Sequence, residues 1–285
     1  MLRCFQNKWQ KLLTDFGFWI AMGFMLVLYA SAEIYLDIAK NNEYSVWLSL
    51  VSFDRTFMLE HIEFSSVSVL MKNGTGYLAM FIPMIAPFTM VRLLCAEQDS
   101  GIFRFEIVRC GRMKYHFTNF ASGVLSGGIL TAFGFIVYGL LVYFLFPSFG
   151  MYPVELQNSQ SELYQMGYGI ALQTNFFALL ATKLPIMFLY GVFASMPAIA
   201  LTSVLHNPYT LLCLPFFFNY VLTQFITKLL ENSHSKILLC IRPSAWLAFT
   251  DTADLRLAVV MRCIILLLLA GFYLLMQNFK TDRGA

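Results

Sequence analysis

The residues best placed to do chemistry lie between two apolar runs, where Glu97 and Asp99 are followed by Ser100-Gly101 and then by Arg104, Arg109, Arg112 and Lys114. An acid, a tight turn and a series of bases offer charged handles to another protein rather than a catalytic pair. Within this stretch, residues 102 to 110 are too short to cross a bilayer, and as a helix they would be apolar on nearly every side. They therefore need cover, either from a partner protein or, as an interfacial turn, from lipid headgroups. Both readings leave the stretch on the cytosolic side.

Other candidates are weaker. Glu60, His61 and Glu63 bring metal ligands close together, but no second histidine stands at zinc-ligand spacing, and a solvated loop is the better reading. Asn219, Thr223 and Gln224 are neutral polar groups inside an apolar run, where they either line a path or hydrogen-bond between helices. Asn73-Gly74-Thr75 matches a glycosylation sequon, a pattern too common to carry weight. There is no His-Glu-x-x-His, no Gly-x-Ser-x-Gly and no phosphate-binding loop. We therefore expect no catalytic, cofactor or metal site, and any work this chain performs must be powered by another chain.

The elements that position these residues are set by composition. The chain has 285 residues, 59% of them hydrophobic and only 12% charged, with a mean hydropathy of +0.67. That balance excludes an ordinary soluble domain and gives an all-α, polytopic membrane protein built as one transmembrane domain over residues 1 to 285. A span needs about 20 mostly apolar residues. Six stretches qualify, at 16–36, 76–95, 119–146, 176–205, 209–230 and 257–277.

Ahead of the first span, Leu2, Phe5, Trp9, Leu12 and Phe16 share one helical face, opposite Gln6, Asn7, Gln10, Lys11 and Thr14, as in a helix lying in the membrane surface. This long amphipathic leader makes the following apolar run a membrane helix rather than a signal peptide. Residues 37 to 75 form a long outer loop, in which Tyr44 to Phe53 pack as a short helix or a strand. Gly123, Gly127, Gly128, Gly134 and Gly139 let other helices approach span three closely. Pro185 and Pro197 kink span four. The link His206-Asn207-Pro208-Tyr209 makes spans four and five antiparallel neighbours. Residues 228 to 256 hold apolar pieces at 237–241 and 245–249 around Arg242-Pro243, too short to cross, and are expected to form a re-entrant outer hairpin.

Six spans put both termini on one side, and Arg3, Lys8, Lys11, Arg92, Arg104, Arg109, Arg112 and Lys114 near the first three spans make that side cytosolic. The net charge of +3 follows from such loops and carries no nucleic-acid message. Glu33, Arg92, Lys183, Lys228 and Arg262 fall near span ends, within reach of water, and the histidines lie in loops or at span edges. The cysteines show no Cys-x-x-Cys spacing, so no disulfide or metal framework is expected.

The run Cys95-Ala96-Glu97-Gln98-Asp99-Ser100-Gly101, followed by Arg109-Cys110-Gly111-Arg112 and Tyr115, resembles the cytosolic segment of ABC-2 type transporter permeases. There an acid and a Ser-Gly precede an Arg-containing turn that leads into the third span. The amphipathic leader, the six spans, the Asn207-Pro208-Tyr209 link and the re-entrant final loop are similar to that architecture. Thr118-Asn119-Phe120 departs from it, standing where many relatives have a lysine.

The resemblance implies a non-catalytic membrane subunit that pairs with a second copy of itself or a related permease and with cytosolic ATP-binding subunits. ATP and magnesium would reside in those subunits. It makes the segment from Glu97 to Arg112 a coupling helix between spans two and three, with Glu97, Gly101, Arg109 and Arg112 at the joint and Phe103, Phe105 and Ile107 as its buried surface. A bacterial exporter of an amphipathic or lipid-like substrate, such as a peptide or antibiotic, is the expected function. A scaffold or sensor binding a peptide at the outer loops, and a secondary transporter, are the alternatives.

Overall fold

The computed structural model describes residues 2–37, 42–72, 77–156, 175–205, 207–232 and 252–282. The chain is mostly helical, and it begins with an amphipathic helix α1 (Leu2–Thr14) followed by α2 (Phe16–Ala30). The two meet at 66° across Asp15. Phe16, expected on the apolar face of α1, instead opens α2 and is exposed. The first span is shorter than expected, because the chain leaves Ala30 for an antiparallel hairpin of β1 (Glu33–Asp37) and β2 (Asn42–Ser45). At 15 residues, α2 reaches only about 22 Å at 1.5 Å per residue, short of a hydrocarbon core of about 30 Å.

The hairpin corrects the all-helical expectation locally, and α3 (Val46–Ser52) settles the open choice for Tyr44 to Phe53 as strand first and helix after. Ser45 begins α3 by accepting from the Leu48 N–H. Short helices α4 (Arg55–Glu60) and α5 (Ser66–Lys72) complete this cap. Rings hold it together: Tyr35, Tyr44, Phe53, Phe57 and Phe64 form one cluster, and His61 lies 4.5 Å from Phe57 within it.

Next come α6 (Tyr77–Ile85), α7 (Phe88–Asp99), α8 (Ile102–Cys110) and α9 (Arg112–Leu145). The break at Ala86-Pro87 divides the expected second span into α6 and α7. The helix of the expected third span, α9, begins at Arg112, well before the apolar run at 119. After it, α10 (Phe176–Leu201), α11 (Pro208–Asn232) and α12 (Thr252–Asp282) run through the bundle. Pro185 and Pro197 both lie inside α10, which is one helix from Phe176 to Leu201. Pro208 opens α11, where its missing N–H costs nothing, and α10 and α11 are in contact, as a short link requires.

Among the described residues, five helical stretches are long and apolar enough to cross a membrane, Met80–Asp99 of α6 and α7 counting as one, or six if α1 and α2 count as one bent span. The chain is thus a multi-pass membrane protein. Its expected re-entrant hairpin at 228–256 falls largely at 233–251, outside the described residues, as do the sequon and His206.

The centre of the bundle is the seam between α9 and α10. A Cβ on Gly127 would stand 2.7 Å from Ser195 Cβ, and one on Gly128 would meet Val192 and the Phe188 carbonyl at 2.6 and 2.9 Å. On the other side, a Cβ on Gly191 would collide with Thr131 Oγ1 and stand 2.5 Å from the Gly127 carbonyl oxygen. Backbones therefore touch there. The Ser195 hydroxyl lies 3.2 Å from the Val124 carbonyl, and Thr131 lies 3.1 Å from that of Met187. Such bonds contribute about 0.6 kcal/mol each within a membrane, so close packing, more than hydrogen bonding, holds the seam.

Candidate functional site

The polar stretch of the sequence becomes a helix hinged at both ends. Gly101, at φ 70°, turns the chain out of α7, and Gly111, at φ 83°, turns it into α9. Neither glycine has an atom within 4 Å of where a Cβ would sit. Backbone conformation, which L residues reach only at a cost, explains glycine at both positions. Between them α8 buries none of its residues.

Two lysines and two glutamates fasten α1 to this end of the bundle. Lys8 Nζ is bonded to Glu97 Oε2 and lies 3.2 Å from Glu106, while Lys11 Nζ lies 3.2 Å from Glu97 and 3.0 Å from Glu106. The Tyr115 hydroxyl donates to Glu97 at 3.4 Å, and its ring lies 5.1 Å from Lys8 Nζ. Glu97 is only 6% exposed and sits in the last turn of α7, where the helix dipole disfavours an anion. The lysines offset both penalties. Glu106 is more open: burial raises its pKa, but the Lys11 hydrogen bond and the Lys8 and Lys11 charges hold it below the usual carboxylate range. For Lys11, burial pulls downward, and its bonds to Glu106 and Glu97 leave the pKa raised. Nearby, Arg92 of α7 pairs with Asp15 at the α1–α2 corner, its guanidinium packed where a Cβ on Gly17 would stand.

The expected site residues do not share one surface. Glu97 is turned into the chain, with its carboxylate engaged by α1 and Tyr115. Phe103 and Ile107, expected to face a partner, are half-buried, whereas Phe105 is 79% exposed. Val108, not singled out in the sequence, is 87% exposed, and Ile102 joins them on that face at the i, i+3, i+6 spacing of one helical stripe. The sequence of α8, apolar on nearly every side, gives no periodicity that marks this stripe. Arg109 is exposed, and Arg112 is half-buried, donating to the Gln277 carbonyl at 3.4 Å.

Of the possible path residues, the Thr223 hydroxyl donates to the Asn219 carbonyl within its own helix at 2.8 Å, and Gln224 is exposed. The three do not converge. Apolar grooves instead flank α2, one of about 310 Å³ between Phe24, Val27, Phe81 and Phe88 and one of about 210 Å³ between Leu26, Trp47, Leu141 and Phe146.

Three other expectations need correction. Lys183 does not reach water: it is 5% exposed and donates to the carbonyls of Leu70 and Met71 at 3.2 and 2.8 Å, closing the C-terminus of α5. Arg262, also expected to reach water, faces Tyr190 of α10 from within α12. His116 does lie near a span edge, and it is buried in α9 against the Tyr115 and Tyr273 rings, with both ring nitrogens unpartnered. Disulfide chemistry is also present after all. Cys110 is disulfide-bonded, its partner lying outside the described side chains. Compared with family models, curated proteins and solved structures, the chain has no match.

Proposed function

We propose that this chain is the membrane subunit of an ATP-driven exporter of the ABC-2 permease kind, with both termini cytosolic and α8 as the element gripped by an ATP-binding subunit. The observation that carries the reading is α8 itself. It is a nine-residue helix between two candidate spans, it buries none of its residues, and it presents Ile102, Phe105 and Val108 outward. A surface of that kind asks for a protein groove. Being tied to α1 and α7 through Lys8, Lys11, Glu97 and Glu106, α8 would pass a push to the first helices of the bundle as rigid-body tilt.

On this reading the partner contact is the Ile102–Phe105–Val108 stripe with Arg104 beside it, and Glu97 works from inside the joint. A second permease copy or a relative completes the pathway. The grooves along α2, lined by apolar side chains, favour an amphipathic or lipid-like substrate such as a peptide or antibiotic.

The test is ATPase activity and recovery of the complex purified through this chain. Phe105→Asp with Val108→Asp is expected to release the ATP-binding chain or to remove substrate-stimulated hydrolysis, while Val154→Asp, exposed beyond the far end of α9, leaves both in place. A complex unaffected by the double change would reject α8 as the coupling element. A neighbouring polypeptide with no phosphate-binding loop would reject the class.

A further inference from the structure

Between α1, α8 and the first turns of α9 lies a polar crevice of about 550 Å³, reached by Gln6, Asn7, Glu106, Arg109, Lys114 and Asn119. It is distinct from the outward stripe of α8. Its charges do not cancel. Glu106 is matched by Lys8 and Lys11, but Arg109 and Lys114 are exposed and have no acidic partner among the described residues. The crevice also lies beside the start of α9, where Gly111 supplies no side-chain cap, so the N–H groups of the first turn add to the positive potential.

Two further observations say what kind of anion fits. Asn119, which lines the crevice, is 3% exposed, yet its Oδ1 has no hydrogen-bond partner. A buried acceptor left open is costly, and it asks for a ligand that carries a donor as well as a negative charge. Above the crevice, moreover, α9 shows an unbroken apolar seam. Phe117, Ile129 and Phe133 are exposed at 48, 36 and 43%, with half-exposed Ala121 and Leu125 between them at four-residue steps. A soluble anion has no use for that seam. An acyl chain does.

We propose that this crevice binds an anionic phospholipid from the leaflet beside α1. Its phosphodiester lies between Arg109 and Lys114, a headgroup hydroxyl donates to Asn119 Oδ1, and an acyl chain follows the Phe117–Phe133 seam. The proposal does not depend on the transport reading, since it uses only α1, α8, α9 and the bilayer.

The experiment reconstitutes the full chain in nanodiscs of equal phosphatidylglycerol and phosphatidylcholine, extracts it in mild detergent, and counts retained lipid by native mass spectrometry. Phosphatidylglycerol should be retained over phosphatidylcholine by roughly tenfold, from two phosphate-facing cations. Arg109→Gln with Lys114→Gln should bring the ratio back towards that of the mixture, and Asn119→Leu should lower retention of phosphatidylglycerol but not of phosphatidylmethanol put in its place, a phosphodiester with no headgroup hydroxyl. Both cations are exposed, so the double variant should elute as the parent does; the selectivity of the unaltered chain tests the idea even if it does not. Equal retention of the two lipids, or selectivity unchanged in the double variant, overturns the site. Displacement of the lipid by millimolar inorganic phosphate overturns the lipid assignment in favour of a free anion.

Discussion

The seam between α9 and α10 and the ion-paired corner where α1 meets α7 and α8 hold the same bundle together by opposite means. At the seam, Gly127, Gly128 and Gly191 bring backbones into contact, and the polar groups are neutral and satisfied locally. At the corner, two lysines and two glutamates span separate helices, with Glu97 almost closed off from solvent and Lys11 42% open. A steric fit has one arrangement and tolerates little displacement. A network of long charged side chains can keep its pairs while the helices shift, and it responds to salt and pH at its open members. The contrast places rigidity in the middle of the bundle and adjustable linkage at the end that carries α8.

The sharpest break in that comparison is Gly191→Val. Because the new Cβ would collide with Thr131 and sit 2.5 Å from the Gly127 carbonyl, relief requires the helices to part, and overpacking of this kind costs about 3 kcal/mol or more. We expect loss of monodisperse protein in detergent, unaltered by salt. Next in size is Glu97→Gln, which leaves Lys8 buried beside a neutral amide. Removing one member of a buried pair costs about 3–5 kcal/mol, and the remaining contact of Lys8 to Glu106 at 3.2 Å keeps the loss near 3. Thermal unfolding should show it, and Lys8→Met added to Glu97→Leu should recover most of it. A silent Glu97→Gln would remove the distinction between corner and seam.

Lys183 lies between the two extremes, a single cation buried among carbonyls. Lys183→Met gives up two charge-assisted hydrogen bonds to Leu70 and Met71 but also relieves a buried charge. A net loss of about 1.5 kcal/mol, local to α5 and visible as faster amide exchange there, would place it nearer the corner in kind; no change would place it with the seam.

Much of this is legible in the sequence. The apolar run lengths located the long helices, and the glycine spacing in span three announced a close approach, though only the fold could say that α10 is the neighbour. What failed to show was depth and direction. Glu97 reads as an exposed handle because its neighbours in sequence are polar, yet Lys8 and Lys11 arrive from α1, almost ninety positions away. Lys183 reads as a residue in reach of water for the same reason: sequence counts position along a span, while burial depends on which other helix stands beside it. Val108 escaped notice because a helix apolar on nearly every side gives no periodicity, so its outward face is set only by the glycine turns at either end.

The smallest effect is the most diagnostic, because it separates the open members of the corner from everything else. Glu106 has its pKa depressed in the folded chain, so its contribution is complete above the unfolded value of about 4.3 and is lost as pH falls through the folded one. Lys11 has its pKa raised, so its contribution is complete below about 10.4 and is lost as pH rises through the folded value. Glu106 faces Lys8 and Lys11, and Lys11 faces Glu97 as well. Protonating Glu106 therefore leaves the lysines leaning on Glu97 alone. Both groups are partly exposed, so each should change stability by less than about 1 kcal/mol. Protection of the α1 amides, taken relative to the intrinsic exchange rate at each pH, should then be flat from roughly pH 5 to 10 and fall at either end, while protection of α9 and α10 at the seam shows no such dependence. Glu106→Gln should abolish the acid arm and leave much of the alkaline one, since Lys11 keeps Glu97 at 3.2 Å. If α1 and the seam respond to pH alike, the corner is not a separate linkage and α8 has no independent hold on the first helices.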